Sequence, residues 1–281
     1  RTTIRTQLFN WVFLCVKNMQ TIITASETSS VSTRDRGLNY GDGFFTTAII
    51  THGQVEHWAY HKARLIECAQ RLGFPALEFS ALESHITQQI ASQVQAVLKI
   101  VVTRGEGGRG YAPPSECNLN IIVSVLPYPA HYHSLHETGI SLAISPIKLA
   151  LQPHLAGLKT LNRLEQVLIK NALQAEQSDD ALVLDYNNNV IETSAANIFA
   201  IKNNKVISPR LDECGIKGVF LQSLCDKLAI EFKTISVDEL TQADAVFVCN
   251  SLMKIVPVKS IGEHCFDIAH SQSLLTVAKE A

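Results

Sequence analysis

Apolar residues three and four positions apart recur over 161–172: Leu161, Leu164, Val167, Leu168 and Ala172 form one stripe, the spacing of an amphipathic helix with a buried face. Thr160 is the expected N-cap, which places Lys159 at the mouth of the helix, where free amides already carry partial positive charge. Earlier in the chain the period is two. "GFFTTAIITHGQVEHW" (43–58) reads as two strands joined at His52-Gly53, and "YHKARLIECAQRLGF" (60–74) as a helix ended by Gly73 and Pro75. Strands at 97–105 and 118–126 flank the glycine-rich loop "GEGGRGYAPPSE". "LPYPAHYHSLHE" (126–137) has little hydrophobic period and is the expected linker. The pattern then restarts with a strand at 139–145, the helix after Lys159, and β-runs with Asn-rich turns at 187–189 and 203–204 that suggest an antiparallel meander. A helix at 218–231, a strand at 244–250 and a short C-terminal helix follow.

Strands and helices segregate instead of alternating as βαβ, so the fold class is α+β. The expected division is a smaller domain over 19–128, a linker over 129–137 and a larger domain over 138–281 that carries Lys159. Residues 1–18 have a basic start and an apolar run, Leu8 to Val16, that imitates a signal peptide. Asn10 interrupts the run and no A-x-A site follows, so the segment is read as an upstream extension before Met19. The run is also too short to span a membrane. A net charge of −2 gives no basic field to recruit nucleic acid or an anionic membrane, so an anionic substrate must be caught by local arginines. Most of the seven scattered cysteines, which form no C-x-x-C pair, read as small core residues in a reducing compartment, which points to the cytoplasm.

Several residues carry candidate chemistry. Lys159 follows the mostly apolar "HLAGL", and a desolvated ammonium loses its proton more readily, leaving an amine able to form a Schiff base or act as a base. Glu192 lies inside the β-run "VIETSAANIF" and suits either a solvent-facing carboxylate or a buried acid paired with a heterocycle nitrogen. Gly218 opens an apolar helix with free amides for a phosphate, Ser251 ends a strand, and Arg64 sits in "YHKARL". His131, His133 and His136 lack a second ligand cluster and are read as polar linker residues, with no metal expected. "GEGGRG" lacks the G-K-[ST] ending of a nucleotide loop, and Asp35-Arg36 is read as a pair holding a turn.

In order, "LNYGDGFFTT", "HKARL", "KTLNRLEQVL", "ETSAANIF", "GIKGVF" and "CNSLMKIVPV" resemble the fold-type IV family of pyridoxal phosphate enzymes. That family includes branched-chain and D-amino-acid aminotransferases and aminodeoxychorismate lyase. "TRGEGGRGY", "YPAHY" and "PHLAGLKTLNRLEQVL" resemble the lyase branch more than the transaminases. The resemblance implies a two-domain, D-amino-acid-aminotransferase-like fold, pyridoxal 5'-phosphate as cofactor, and a homodimer with the site near the interface. It implies Lys159 as catalytic residue and cofactor anchor, Glu192 at the ring nitrogen, and Arg64, Gly218, Val219 and Ser251 at the phosphate. Arg109, Tyr111 and Thr47 match the substrate side, with Arg104 as a lesser carboxylate binder. The lyase branch implies elimination of pyruvate from 4-amino-4-deoxychorismate. Two alternatives are an aminotransferase on the same scaffold and a non-catalytic binding homologue.

Overall fold

The protein is described by a computed structural model over residues 19–26 and 28–280; the expectations for residues 1–18 and Cys15 lie outside the described residues. Strands β1 (Met19–Thr24), β2 (Gly43–Thr51), β3 (Gln54–Val55), β4 (Gln95–Thr103) and β5 (Asn118–Leu126) form one sheet in the order β1-β5-β4-β2-β3. The long β2–β4 and β4–β5 pairs are antiparallel, while β1 joins β5 in parallel. Helices α1 (Arg36–Tyr40), α2 (Trp58–Arg71) and α3 (Phe79–Ile90) belong to this half of the chain. Leu65 and Cys68 of α2 and Leu82 and Ile86 of α3 pack with Phe44, Leu98, Ile100 and Ile121 in one core.

The chain then passes through α4 (Tyr132–Thr138), so the second half of the stretch 126–137, expected as a linker without period, is a helix. Its turns carry Leu135 and Tyr132 onto the second core, which the interleaved histidines and prolines conceal in the sequence. The second sheet runs β11-β10-β9-β12-β13-β6-β7-β8, with β14 (His264–Cys265) paired to β13. Its strands are β6 (Ile140–Ile144), β7 (Asp180–Leu184), β8 (Val190–Thr193), β9 (Asn197–Lys202), β10 (Lys205–Pro209), β11 (Ile230–Lys233), β12 (Ala245–Asn250) and β13 (Lys254–Ile261). The expected meander over 179–209 holds for its two hairpins, β7–β8 and β9–β10, both antiparallel; it fails between them, because β8 ends the sheet beside β7 while β9 lies between β10 and β12. Helices α5 (Leu164–Leu173), α6 (Val219–Cys225), α7 (Val237–Thr241) and α8 (Ile268–Glu280) complete the chain. The helix expected over 218–231 stops at Cys225, because Ile230 begins a strand beside β10. The segregated strands and helices make the fold α+β, as the pattern predicts. No described helix is long and apolar enough to cross a membrane.

The helix after Lys159 departs most from expectation. It starts at Leu164, with Arg163 rather than Thr160 at its N-cap position. Leu164, Val167 and Leu168 are exposed, and Ile169 is the buried residue of the helix. The apolar stripe is therefore real as a helical pattern but faces outward. The described cysteines divide: Cys68, Cys214 and Cys249 are buried, Cys117 is half-buried, and Cys225 and Cys265 are exposed.

Candidate active site

Lys159 lies on an extended segment laid against β2, five residues before α5 begins. The Phe45 amide donates to the Lys159 carbonyl (2.9 Å), and the Leu161 amide to that of Gly43 (3.0 Å). The approach is a pinned loop. Arg71 of α2 donates to the carbonyls of Pro153, His154 and Ala156 (3.3, 3.2 and 2.9 Å), and Gly157 turns with φ +80, a conformation costly for other residues. The Lys159 ammonium then stands 4.7 Å from the centre of the Phe45 ring. Burial, with Arg64 nearby, lowers its pKa to about 8. The helix dipole invoked by the sequence reading plays no part, since the lysine is not at the helix end; desolvation does the work.

A cavity of about 310 Å³ opens beside this amine, lined by Thr47, Arg64, Lys159, Glu192, Gly218, Val219 and Ser251 among others. Thus seven of the nine site residues predicted from sequence converge. Thr47 reaches the cavity because β2 alternates: Phe45 and Thr47 face it, while Phe44 and Thr46 are buried on the other side. Thr46 there pairs with His61 Nδ1 (2.6 Å), and burial drops the His61 pKa to about 3, leaving it neutral. Arg64, one helical turn after His61, donates to the Lys217 carbonyl (2.7 Å), which places its guanidinium beside Gly218. Burial brings the pKa of Arg64 to about 10, still a cation at neutral pH. Gly218 is required by close approach, since a Cβ there would collide with Asn197 Oδ1. It precedes α6 without a side-chain cap. Ser251 sits in the turn after β12, shaped by Asn250 Oδ1 accepting from the Leu252 and Met253 amides (both 2.9 Å).

Glu192, on β8, is 4 % exposed. Burial raises its pKa to about 7, although the Ile216 amide (2.9 Å), Lys159 and Arg163 favour the ionised form. Only one carboxyl oxygen has a partner among the described residues, so the other is free for a ligand donor.

Arg109 and Tyr111 do not join this cavity. Both are exposed on the glycine-rich loop, and Tyr111, 84 % exposed, touches the ring of Tyr40 edge-on. Arg104 is excluded as a substrate binder. It is buried, paired with Asp42 (2.8 Å), bonded to the Leu72 and Gly73 carbonyls, and stacked over Phe74. Nor do Asp35 and Arg36 pair with each other. Asp35 caps α1, whereas Arg36 pairs with Asp42 (2.7 Å).

Sequence reasoning missed Arg163, Gln166, Asn197 and Tyr132 on the cavity wall. Arg163 and Gln166 are one helical turn apart, a signal that "NRLEQ" offered once its apolar neighbours are known to face outward. Arg163 Nε and Gln166 Oε1 are buried without a partner among the described residues.

The chain belongs to the amino-transferase class IV family, whose profile matches residues 43–261 and so spans every element lining the cavity. It is a family of pyridoxal phosphate enzymes, and the donor set fits that cofactor: an amine near neutrality, a buried acid with an open oxygen, and a guanidinium beside a glycine cradle. Aminodeoxychorismate lyase of Vibrio harveyi is 36% identical over 232 residues, 81% of this chain and 86% of that protein. The crystal structure of 4-amino-4-deoxychorismate lyase from Pseudomonas aeruginosa superposes with a TM-score of 0.83 at 36% identity, covering 90% of this chain and 95% of that one. A putative branched-chain-amino-acid aminotransferase of Methanocaldococcus jannaschii is 29% identical over 83% of each chain.

Proposed function

We propose that this chain is a 4-amino-4-deoxychorismate lyase, releasing pyruvate and 4-aminobenzoate on the route to folate. The convergence of Lys159, Glu192 and Arg64 on one cavity carries the reading, and the 36% identity to lyases at near-full coverage selects the reaction. Lys159 would hold the cofactor aldehyde, Glu192 the ring nitrogen, and Arg64, Gly218, Val219 and Ser251 the phosphate. Bound there, pyridoxal phosphate supplies a sink for the electron pair released at the substrate's amine-bearing carbon. Lys159, with a pKa of about 8, takes the proton from that carbon, and aromatisation drives loss of the enolpyruvyl group. Glu192, itself buried, would balance positive charge at the ring nitrogen.

A homodimer belongs to the same proposal. Leu38, Leu164, Val167, Leu168 and Tyr111 are exposed apolar residues of a kind that interfaces cover. The Asn162 amide reaching the Gly41 carbonyl ties the start of α5 to the end of α1. Arg109 and Tyr111 lie outside the cavity of their own chain, so their proposed substrate contacts require a second copy; Thr47 needs none. We assign the two sheets to the two domains read from sequence. A reducing, cytoplasmic setting agrees with six free cysteines among the described residues.

The test is incubation of the yellow holoenzyme with 4-amino-4-deoxychorismate and, separately, with D-alanine and 2-oxoglutarate. Pyruvate and 4-aminobenzoate should appear in the first reaction, and Lys159→Ala should lower that rate by at least roughly 100-fold. Amino transfer without aminobenzoate formation would replace the lyase reading with an aminotransferase.

A further inference from the structure

The segment expected as a linker brings an unassigned side chain to the cavity. Tyr132, the first residue of α4, lines it together with Thr47, Ser194 and Leu252. Its ring is fixed from several sides. It packs on the core of the second sheet, meets Tyr128 edge-on with centroids 6.2 Å apart, and meets His131 at 4.5 Å. Tyr128 is itself anchored, its hydroxyl donating to the Leu252 carbonyl (3.0 Å). The Tyr132 hydroxyl, by contrast, has no hydrogen-bond partner among the described residues. Asp180, the acid whose charge bears on it, is engaged by Lys170 (2.9 Å) and by the Ser194 hydroxyl. Burial, aided by Asp180, raises the pKa of Tyr132, so the phenol keeps its proton throughout the physiological range.

The cofactor's aldehyde, ring nitrogen and phosphate already have candidate partners: Lys159, Glu192, and the group formed by Arg64, Gly218, Val219 and Ser251; its ring hydroxyl is the one competing acceptor, and a contact there would show in the cofactor band. Tyr132 comes from a different element, and its rigid, unengaged donor remains for the substrate. We propose that the Tyr132 hydroxyl holds the ether oxygen of the substrate's departing side group, through a hydrogen bond that strengthens as that oxygen gains charge. This rests on the lyase reading. The carbon–oxygen bond breaks with its electron pair passing to oxygen. The proton that Lys159 takes from the amine-bearing carbon balances the one the departing enolate gains, so Tyr132 keeps its own. A donor that acts mainly on developing charge contributes to kcat more than to KM.

Tyr132→Phe removes the hydroxyl and retains the packed ring. Pyruvate release, cofactor affinity and the visible cofactor band are measured side by side for wild type and variant. The expected result is a roughly 10- to 100-fold lower kcat, the range of a hydrogen bond to a charged acceptor, with KM, cofactor affinity and absorption unchanged. A wild-type kcat in the variant would overturn the assignment. A change in KM alone would mean ground-state binding, and a shifted band or weakened cofactor affinity would mean a structural or cofactor contact; either also overturns it. Absence of pyruvate release by the wild type removes the lyase reading and this inference together, whereas pyruvate release by the wild type with an unchanged kcat in the variant removes only the inference.

Discussion

Two groups of largely buried charge adjoin β2, one around Asp42 at its start and one beside Phe45 and Thr47. In the first, Asp42 sits between Arg36 and Arg104, and both arginines spend further donors on backbone carbonyls: Arg36 on Gly110, Tyr111 and Ala112, and Arg104 on Leu72 and Gly73. Burial works against ionised Asp42, but hydrogen bonds from Arg104 and Arg36 outweigh it and keep its carboxyl below the ordinary range. In the second group Lys159, Glu192, Arg64 and Arg163 share a cavity without forming a single ion pair among the described residues. There burial wins, moving Lys159 to about 8 and Glu192 to about 7, towards neutrality from opposite directions. A saturated cluster fixes backbone, here the glycine-rich loop; an unsaturated one keeps donors and acceptors for something that binds. Arginine occurs in both, so residue type cannot separate them.

This contrast predicts stability changes of opposite sign. Asp42→Ala strands two guanidiniums whose side chains are only 4 % and 7 % exposed, and breaking such a buried network costs roughly 3–5 kcal/mol. Urea denaturation of the cofactor-free protein should show a loss of that size, and a loss below 1 kcal/mol would mean that water reaches the cluster. Lys159→Met should instead stabilise the cofactor-free protein. The unfolded chain holds this proton to about 10.5 and the folded chain only to about 8, so the penalty of burying the ammonium is fully present below pH 8 and is relieved as pH rises from 8 towards 10.5. Removing it is worth roughly 1–3 kcal/mol at pH 7, discounted for the open side of the cavity. A destabilised Lys159→Met protein would show that its amine is paired after all.

The same contrast explains what was legible in the chain. Strand alternation gave β2, β4 and β5 with near-correct bounds, and the resemblance gave Thr47, which β2 places on the cavity side with Phe45. The ordered motifs gave Lys159, Glu192, Arg64, Gly218, Val219 and Ser251, which line one cavity, although distant partners hold them there: the Lys217 carbonyl holds Arg64, 153 residues away. Arg104 was offered as a carboxylate binder since nothing local reveals its partner Asp42, 62 residues away. The stripe of Leu164, Val167 and Leu168 was read as buried because periodicity reports an apolar face without saying what covers it. Tyr132 was hidden by a segment whose helix is held by tertiary contacts with the second core rather than by its own pattern.

Glu192 offers a smaller, pH-resolved test. Between its ordinary value near 4.5 and its folded value of about 7, the folded protein keeps a proton that the unfolded chain has released, so stability falls as pH rises across that window. Glu192→Gln can still accept from the Ile216 amide, and it should flatten this part of the stability profile of the cofactor-free protein. An unchanged slope would assign the titration to another group. Asp42 gives the opposite slope, its lowered pKa adding stability that is lost as pH falls through the acid range, so the two clusters can be read separately in one pH series.

Arg109 should show the smallest effect on folding. It is exposed, and no side-chain hydrogen bond or ion pair ties it to the described residues, so Arg109→Ala should shift stability by no more than about 0.5 kcal/mol. If the loop held by Arg36 serves a neighbouring copy's cavity, the same substitution should raise KM for pyruvate release while leaving the cofactor band and the stability curve in place. Sedimentation analysis then decides how that KM change arises: a variant that remains dimeric with a raised KM places Arg109 on substrate, whereas one that falls to monomers makes it an interface residue. An unaltered KM in an intact dimer would separate the loop from the site. The saturated cluster beneath it would then serve architecture alone.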